Sequence, residues 1–413
     1  MKLLIITQYF WPETFIINEL AKQLSHDGHT VTVLTGKPNY PDGMIYEGYQ
    51  SSGILSEKTP NGIQVHRVPL RPRYKGGAKN LALNYLSFLY SGLIRFPRLV
   101  RGQRYDAILF FAPSPMTSAI TAIPLKYLTK SHLAIWIQDL WPESLSATGH
   151  VSNSLILFFI KQAVRLIYRF ADTLLIQSKA FSRPVSELAE DDKIVYYPNF
   201  SRTNTTQAEA AEAQLPAAIL QTLMNNFCLV FSGNLGTAQA LDTLLEAAEN
   251  LQDLTDLRIL LVGSGSMSSR IDDIIQKKKL KNLVLTGRLA VEMMPPLYQH
   301  AEGLLVLLKD EEIFSYTVPS KVQAYLAAAK PILASINGET ARIIDEAGAG
   351  LTSRAEDASG LADSIRKLYH STPEARTAMG SRGYEYFLQH FEMVTQTRRL
   401  VEILQQRITK RQA

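Results

Sequence analysis

Glycines mark the ends of four strand-like segments in the second half of the chain. These loops contain GNLG at 233–236, GSGS at 263–266, Gly287–Arg288, and Gly338 before Glu339. Glycine lets a backbone approach a ligand closely, and ligands of doubly wound sheets bind at the carboxyl ends of the strands. The four loops therefore predict a ligand site at one sheet edge, although tight turns alone would explain some of the glycines.

A lysine at a predicted helix start supplies positive charge near these loops. In the segment 317–333, Pro319 suits a first helical turn, which would also contain Lys321. The helix dipole disfavours a cation there, and a bound anion such as a diphosphate would offset that cost. The alternative is a solvated lysine. Upstream, the acids at 310–312, among them Glu311 and Glu312, could accept hydrogen bonds from sugar hydroxyls or could simply be solvated.

Two segments of the first half pair an acid with Trp-Pro. QYFWPE occupies residues 8–13 and QDLWPES residues 138–144, each directly after a strand-like run. Asp139, Glu13 and Glu143 are our candidate catalytic carboxylates, able to act on an acceptor hydroxyl. The structural alternative is that the acids cap helices and the tryptophans anchor packing.

Ten basic residues and no acid occur between Lys58 and Tyr105. They flank an apolar stretch, residues 80–96, that is too short to span a bilayer, and such a helix suits the interface of an anionic membrane. The residues expected at the membrane are Arg71, Arg73, Lys75, Lys79, Arg95, Arg98 and Arg101. A second candidate helix spans 155–170. The alternative is that both helices pack on a sheet with a solvated basic face; the aliphatic content argues against nucleic acid.

The chain opens twice in the same way, with KLLIIT at 2–7 and FCLVFS at 227–232. Each run resembles the first strand of a doubly wound sheet, and the alternation of strand and helix patterns predicts mainly parallel sheets. We therefore expect an α/β protein of two Rossmann-like domains facing an inter-domain cleft. The predicted domains are 1–200 and 217–389, joined by an Ala/Glu-rich linker and followed by a predicted helix at about 390–413.

Composition is that of an ordinary globular protein, with 46% hydrophobic and 20% charged residues and a net charge of +5. The single cysteine, Cys228, excludes a disulfide framework and fits a small buried hydrophobe. No uninterrupted apolar run reaches about 18 residues, so no spanning helix is expected. We expect a cytoplasmic protein, peripheral on the inner face of the cytoplasmic membrane.

As a set, several segments resemble GT-B glycosyltransferases of family 4. They are QDLWPES (138–144), SGNLGTAQAL (232–241), VPSKVQAYLAAAKPI (318–332) and INGETARIIDEAGAG (336–350). Within that family the chain is most similar to bacterial N-acetyl-L-fucosamine transferases of O-antigen, lipopolysaccharide and capsule assembly. The resemblance covers nearly the whole chain and implies a nucleotide site on the C-terminal domain, with the last helix, about 390–413, packing back on the N-terminal domain. The expected donor-binding residues are Gly233, Asn234, Gly263, Arg288, Tyr316, Ser320, Lys321, Gly338, Glu339 and Arg342.

The chain departs from the family pattern at the residues that usually bind the donor and its diphosphate. The two family glutamates fall at Tyr316 and Ala324, and the usual Arg and Lys fall at Asn234 and Gln239. Other groups would have to replace them: Lys321, Arg288 or Arg342 for the cations, and the acids at 310–312 for the first glutamate. No Asp-X-Asp occurs, which agrees with the metal independence usual for this fold. No metal and no cofactor are expected.

The resemblance implies transfer of a 6-deoxy-amino-sugar, N-acetyl-L-fucosamine, from a UDP donor. The acceptor would be lipid-linked, with GlcNAc on undecaprenyl diphosphate as the expected partner. A UDP-sugar 2-epimerase of the same fold is the alternative, although it would not need the acid-free basic stretch. Transfer from another nucleotide-sugar, such as GDP-fucose, also remains open. A non-enzymatic nucleotide-sugar sensor would leave QYFWPE and QDLWPES unexplained.

Overall fold

A computed structural model describes residues 1–74, 77–147, 153–202 and 215–412. The protein divides into two compact units, Met1–Asn199 with Gln396–Ala413, and Phe200–Thr395. Each unit is built on its own sheet. Residues 203–214, near the start of the second unit, lie outside the described residues, as does Lys75.

Eight strands form the sheet of the first unit. They are β1 (Lys2–Ile6), β2 (Thr30–Gly36), β3 (Leu55–Lys58), β4 (Gln64–Val68), β5 (Ala107–Ala112), β6 (His132–Ile137), β7 (Thr173–Ile176) and β8 (Ile194–Tyr196). Their order is β3-β4-β2-β1-β5-β6-β7-β8, and only the β3–β4 pair is antiparallel. The sequence predicted seven of these strands. It missed β3, whose four residues, LSEK, lie on the sheet edge with alternating exposure.

The helices of this unit follow the strands. They are α1 (Ile16–His26), α2 (Ala78–Leu99), α3 (Ala122–Thr129), α4 (Glu143–Ala147), α5 (Ser154–Phe170) and α6 (Ser182–Ser186). In α1, Ile17, Leu20 and Leu24 repeat at helical spacing and are fully buried, which fixes the helix against the sheet. The carboxyl ends of the parallel strands, and the loops after them, therefore lie at one edge.

The second unit contains six parallel strands. They are β9 (Phe227–Ser232), β10 (Leu257–Val262), β11 (Leu283–Gly287), β12 (Gly303–Leu307), β13 (Ile332–Ser335) and β14 (Gly350–Ser353), in the order β11-β10-β9-β12-β13-β14. Five were predicted from the sequence. The sixth, β14, reads GLTS, which is too short and too polar to give a strand signal.

Nine helices of the described part belong wholly to this unit. They are α7 (Ala217–Asn225), α8 (Leu241–Glu249), α9 (Ser268–Lys278), α10 (Met294–Gln299), α11 (Glu312–Tyr316), α12 (Ser320–Ala327), α13 (Glu339–Ala347), α14 (Ala358–Tyr369) and α15 (Pro373–His390). A last helix, α16 (Met393–Gln412), begins in this unit, and from Gln396 onward it groups with the first. In the first unit, Arg399 donates to the carbonyl of Tyr196.

The second sheet is buried on both faces, as its apolar strands predict. Along β9, Cys228 and Val230 contribute to one core cluster, and Leu229 and Phe231 to the cluster on the opposite face. Cys228 is fully buried, and burial raises the pKa of its thiol to about 12, so it serves as a core residue. The two Rossmann-like parallel-sheet domains are the GT-B architecture that the sequence predicted. No helix among the described residues is both long and apolar enough to cross a bilayer.

Candidate active site

A cavity of about 780 Å³ opens at the carboxyl edge of the second sheet. Its walls come from the loops after β9, β10 and β11 and from the start of α12. Six of the predicted donor residues line it: Gly233, Asn234, Gly263, Arg288, Ser320 and Lys321. No lining residue among those described is an Asp or a Glu. The cavity is therefore suited to an anion.

Two glycines let the loops after β9 and β10 pass each other. Gly233 and Gly263 have φ angles of +136° and +144°, which L side chains rarely adopt. A Cβ on Gly263 would lie 1.8 Å from the carbonyl oxygen of Gly233, so no side chain fits there. Backbone rather than side chain therefore forms this wall of the cavity, as the strand-end glycines predicted.

Lys321 is the second residue of α12 and points into the cavity. Its Nζ donates a 2.7 Å hydrogen bond to Oε1 of Gln239 and lies 4.0 Å from the ring centroid of Phe231. No carboxylate of the described chain pairs with it. Burial lowers the pKa of the ammonium to about 7. Lys321 is half-buried with a desolvated ammonium, and an anion in the cavity would compensate its charge.

Arg288 supplies a second cation at the rim. Its Nε donates to Oγ of Ser264, and it forms no ion pair with any described residue. Lys321 and Arg288 thus place two unneutralised cations on one cavity. A diphosphate carries the complementary charge and the hydrogen-bond acceptors.

Arg342, the third cation that the sequence offered, is already paired. It donates to both carboxylate oxygens of Glu339, at 3.0 and 2.9 Å, and it also bonds Glu346. Neither Arg342 nor Glu339 lines the cavity. Gly338 precedes them as the residue before α13, with a φ of +74°. In this structure the charges of Arg342 and Glu339 neutralise each other, and a role of Gly338, Glu339 and Arg342 in donor binding stays a prediction.

The acids before α12 also lie outside the cavity lining. Tyr316 donates a 2.6 Å hydrogen bond to Glu312 one turn earlier in α11, and Glu311 is the exposed residue preceding that helix. Tyr316 is thus a partner of Glu312 in this structure rather than a residue of the cavity wall. A role of Glu311 and Glu312 toward sugar hydroxyls stays a prediction.

The sequence missed several cavity residues. Leu289, Val291 and Met294 form an apolar side, and the hydroxyl of Tyr298 bonds Ser232 Oγ at 2.6 Å. These side chains come from a segment without glycine or charge signature, so nothing in the sequence singled them out. A hydrophobic wall beside a cationic one is suited to a ligand with a flat ring and an anionic chain.

A second group of polar side chains collects at the carboxyl edge of the first sheet. Tyr9 follows β1, Arg73 follows β4, Ser114 follows β5 and Asp139 follows β6. Tyr85 of α2 hydrogen-bonds Ser114 and Tyr9 and interacts electrostatically with both Arg73 and Asp139. The strand topology brings these residues together, although they are far apart in the chain. We define Tyr9, Arg73, Tyr85, Ser114 and Asp139 as the first-unit polar cluster.

Asp139 is half-buried with local partners. Its Oδ2 accepts from Trp141 Nε1 at 3.3 Å and from Ser144 Oγ at 3.1 Å. Burial raises the pKa of this carboxyl, and the nearby Glu143 adds to the effect. Glu143 is the first residue of α4 and is itself half-buried. The side chains that bond Asp139 come from the start of α4 and the residues just before it, and Asp139 belongs to the first-unit polar cluster, while helix capping stays an alternative.

Glu13 is a different case, because its carboxylate bonds backbone N–H groups, and its catalytic role stays a prediction. Its side chain is fully buried, and its two oxygens accept backbone N–H groups of Phe10, Asn39 and Tyr40 at 3.2, 2.8 and 2.8 Å. Burial raises the pKa of Glu13 to about 7. These bonds fasten the loop after β2 to the loop after β1. The Glu13 carboxylate therefore has a structural role in joining these two loops.

The predicted membrane residues are distributed around α2. Lys79, Arg98 and Arg101 are exposed and Arg95 is half-buried. Arg71 is exposed, with its guanidinium over the ring of Tyr74. Lys75 lies outside the described residues. Arg73 differs from the prediction, because it belongs to the polar cluster rather than to the outer face.

The outer face of α2 is apolar. Leu86, Tyr90, Leu93 and Ile94 repeat at helical spacing and are 58%, 66%, 39% and 40% exposed. In α5, Leu155, Ile156, Phe158 and Phe159 are likewise exposed near its start. Both helices therefore expose apolar side chains as well as basic ones, while membrane contact and the alternative of packed helices with a solvated basic face both stay open.

Two family models match the sequence. "Glycosyl transferase 4-like domain" matches residues 14–199, and "Glycosyl transferases group 1" matches residues 226–371. Among the described residues, no group of three or more His, Cys, Asp or Glu side chains could hold a metal ion.

Curated relatives are similar over most of their length. The chain is 24% identical over 342 residues to the "Putative colanic acid biosynthesis glycosyl transferase WcaI" of Escherichia coli K12, covering 79% of this chain and 81% of the relative. It is 25% identical over 301 residues to the "Probable glycosyltransferase WbjE" of Pseudomonas aeruginosa, covering 70% and 72%.

Solved structures share the fold at low identity. Anabaena Alr3699/HepE in complex with UDP superposes with a TM-score of 0.72 at 15% identity, covering 98% of this chain and all of the other. Sucrose-phosphate synthase of Thermosynechococcus elongatus gives a TM-score of 0.72 at 16% identity, covering 98% of both chains.

Proposed function

Since the chain belongs to the GT-B glycosyltransferases of the group 1, family 4-like type, we propose that it transfers a sugar from a UDP donor to a lipid-linked saccharide. The proposed sugar is a 6-deoxy-amino-sugar, N-acetyl-L-fucosamine. The proposed acceptor is GlcNAc on undecaprenyl diphosphate, in the assembly of a surface polysaccharide. The proposed site of action is the inner face of the cytoplasmic membrane.

One observation carries the donor proposal: an acid-free cavity holds two cations that have no carboxylate partner. A buried ammonium without a counter-charge is costly, as its lowered pKa indicates. The diphosphate of a nucleotide-sugar would neutralise Lys321 and Arg288 together, with the Gly233 and Gly263 backbones alongside. The apolar wall at Leu289 would then receive the base.

The comparisons favour UDP and a polysaccharide product. Crystal structures of Anabaena Alr3699/HepE hold UDP in one case and UDP-glucose in another. The Escherichia coli relative is named for colanic acid biosynthesis. The choice of N-acetyl-L-fucosamine rests on the segment resemblance at QDLWPES and VPSKVQAYLAAAKPI.

Catalysis would depend on positioning and electrostatics. Positive charge from Lys321 and Arg288, in a site with few competing acids, would stabilise the UDP leaving group as the glycosidic bond breaks. These cations would take the role that a metal has in other transferases, so we propose a metal-independent reaction. Asp139 is proposed to receive the proton of the acceptor hydroxyl, because it alone of the three predicted carboxylates belongs to the polar cluster.

Membrane contact would bring the enzyme to a lipid-linked acceptor. The exposed apolar face of α2, with Lys79 near one end and Arg98 and Arg101 near the other, has the pattern of an interfacial helix. Anionic lipid would attract the cations, while Leu86 and Tyr90 would enter the interface. The exposed apolar start of α5 offers a second contact of the same type.

A ligand screen followed by a transfer assay tests the function. UDP and UDP-sugars should raise the melting temperature of the intact protein more than GDP or GDP-fucose, because a ligand that binds only the folded state stabilises it. Transfer from UDP-N-acetyl-L-fucosamine should require the lipid-linked acceptor. Change at C2 of a UDP-sugar without any acceptor would instead identify an epimerase, and stabilisation by GDP alone would refute the UDP proposal.

A further inference from the structure

Arg73 has an uncompensated charge in the first unit. Its guanidinium lies 4.9 Å from the ring centroid of Tyr9 and 5.1 Å from that of Tyr40, and it donates to the hydroxyl of Tyr9. Its Nε is buried and has no hydrogen-bond partner. No ion pair joins Arg73 to any carboxylate in the ranges that the structure describes. A fixed guanidinium with unused donors is a binding group for an anion.

The rings around Arg73 keep it in place. Tyr9, Phe15 and Tyr40 form a three-ring group with centroid separations of 5.2 to 5.8 Å. Aromatic faces hold a guanidinium by cation–π attraction without neutralising its charge. The tyrosine loops are in turn fastened by the buried carboxylate of Glu13, which accepts the N–H of Tyr40. The arginine is thus preorganised, and its ordering cost is met before a ligand arrives.

The exposed apolar face of α2 begins one residue after Tyr85, which interacts with Arg73. Tyr85 interacts electrostatically with Arg73, and the next residue of α2, Leu86, is the first exposed member of the apolar face. That face continues through Tyr90 to Leu93 and Ile94. An anionic group at Arg73 and a hydrocarbon chain along α2 would be parts of one amphiphile. A free phosphate would use only the first of these features.

We propose that Arg73 binds the diphosphate of a polyprenyl-linked acceptor whose hydrocarbon chain lies along the outer face of α2. This inference rests on the proposed function, in which the acceptor is lipid-linked. It separates Arg73 from exposed arginines such as Arg98 and Arg101, which are proposed to contact lipid headgroups. Arg73 determines which acceptor is bound, and the exposed arginines determine whether the enzyme reaches the membrane.

Binding of a soluble probe tests this. Geranyl diphosphate is titrated by calorimetry into the full-length protein saturated with UDP, so that the cavity of the second unit is occupied. Arg73→Ala should weaken the probe by tenfold or more, because a charge-assisted contact is lost. Arg73→Lys should lie between Arg73→Ala and the wild type, because a lysine keeps the charge but not the planar fork. Arg104→Ala, at an exposed arginine of the same unit, should stay within twofold of the wild type.

Further measurements separate the sources of the anion. Inorganic diphosphate should bind more weakly than geranyl diphosphate, and geraniol should not respond to Arg73→Ala. Tyr40→Leu, at a partly exposed ring, should also weaken the probe if stacking fixes the guanidinium. If Arg73→Ala leaves geranyl diphosphate affinity unchanged, or lowers binding to phosphatidylglycerol vesicles to the same extent as Arg98→Ala, the inference is overturned.

Kinetic measurements distinguish failure of the Arg73 site from failure of the proposed function. Arg73→Ala should raise the KM for a lipid-linked acceptor and leave the KM for the UDP-sugar and the affinity for UDP unchanged. Failure of any sugar transfer, with Arg73-dependent probe binding intact, would contradict the function and not the diphosphate site. Normal transfer with an unaltered acceptor KM in Arg73→Ala would contradict the site and not the function.

Discussion

Lys321 donates a 2.7 Å hydrogen bond to the side-chain oxygen of Gln239, which lies 82 residues earlier in the chain. By the family resemblance, position 239 is where a diphosphate-binding lysine is usual. The structure therefore brings an ammonium to this position from the opposite wall, the start of α12. A cation is present although the expected residue is not.

The first prediction concerns donor affinity. Lys321→Ala should weaken UDP binding by about 1.5–3 kcal/mol, because a charge-assisted hydrogen bond to phosphate is lost. Calorimetry of UDP binding measures it. Lys281→Ala, which removes an exposed lysine of the same unit, is the control and should bind UDP as the wild type does. An equal UDP affinity in Lys321→Ala and in the control would assign Lys321 no role in the donor site.

The second prediction is a pH dependence. The pKa of Lys321 is about 7 in the folded, ligand-free protein and about 10.4 in an unfolded chain. Between these pH values the unfolded chain binds more protons than the folded protein, so the free energy of unfolding rises with pH across that window. The charged Lys321 therefore destabilises the folded state most below about pH 7. Lys321→Met should therefore raise the melting temperature at pH 6.5, and the gain should shrink toward pH 10. Each 1 kcal/mol corresponds to about 2–4 °C for a unit of this size.

The titration of Lys321 should also affect donor binding, but in the opposite direction, because binding favours the charged ammonium whereas folding favours the neutral amine. An anionic donor favours the charged ammonium, so affinity for UDP-glucose should fall as pH rises above about 7. UDP-glucose is the suitable probe, since its diphosphate has no group that titrates near neutrality. In Lys321→Met this fall should disappear. A pH profile that is the same in both proteins would contradict the assignment.

The third prediction separates the two roles of Asp139. Asp139→Asn should lower turnover by about 10²–10⁴ if the carboxylate acts as a base, while UDP affinity stays intact. Because burial raises the pKa of Asp139, activity should fall as pH falls through that raised value. Ser144→Ala removes one hydrogen-bond donor to Oδ2 but leaves the charge, so it should keep most of the rate. Wild-type turnover in Asp139→Asn would make it a capping residue alone.

The fourth prediction tests the structural role of Glu13. Its pKa is about 7 when folded and about 4.3 when unfolded, so the folded state binds more protons between these values. Its contribution to stability should therefore decline as pH rises from about 4.3 to 7, by about 3–4 kcal/mol in total. Comparing denaturant unfolding of the wild type and Glu13→Gln across this range isolates that decline. A folded Glu13→Gln protein with a turnover loss of the size expected for a catalytic base would restore it as a candidate.

The fifth prediction concerns the membrane. Changing Arg95, Arg98 and Arg101 to glutamate should abolish flotation with anionic liposomes, since each cation near such a surface contributes about 1 kcal/mol. Binding of the wild type should weaken as salt rises, because attraction decays over a Debye length. A matched triple change of exposed lysines, Lys22, Lys277 and Lys281 to glutamate, alters net charge equally and should float normally. Equal loss in both variants would indicate a net-charge effect rather than a local surface.

Hydrophobic runs and glycines in the sequence were enough to predict most of the fold. Strands such as β9 and β10 are apolar on both faces, because a parallel sheet is covered by helices on both sides, and that pattern is local. The two strands that sequence reasoning missed, β3 and β14, are four-residue edge strands, whose pairing depends on a neighbour rather than on their own residues. Lys321 at a helix start was visible for the same local reason.

Only the tertiary structure decided how the charged side chains are used. Lys321 and Arg342 look alike as cations near helix starts, yet one is unpaired in a cavity and the other is bound by Glu339 and Glu346. Glu13 and Asp139 both lie beside a Trp-Pro pair in the sequence, yet only Glu13 accepts hydrogen bonds from three backbone N–H groups of two loops. In the sequence Arg73 is one of ten similar cations. In the structure it differs from the others because its guanidinium contacts the rings of Tyr9 and Tyr40 and its buried Nε has no hydrogen-bond partner. The role of a charged side chain depends on its burial and on the partners that long-range strand pairing brings to it. Neither can be read from the residues next to it in the sequence.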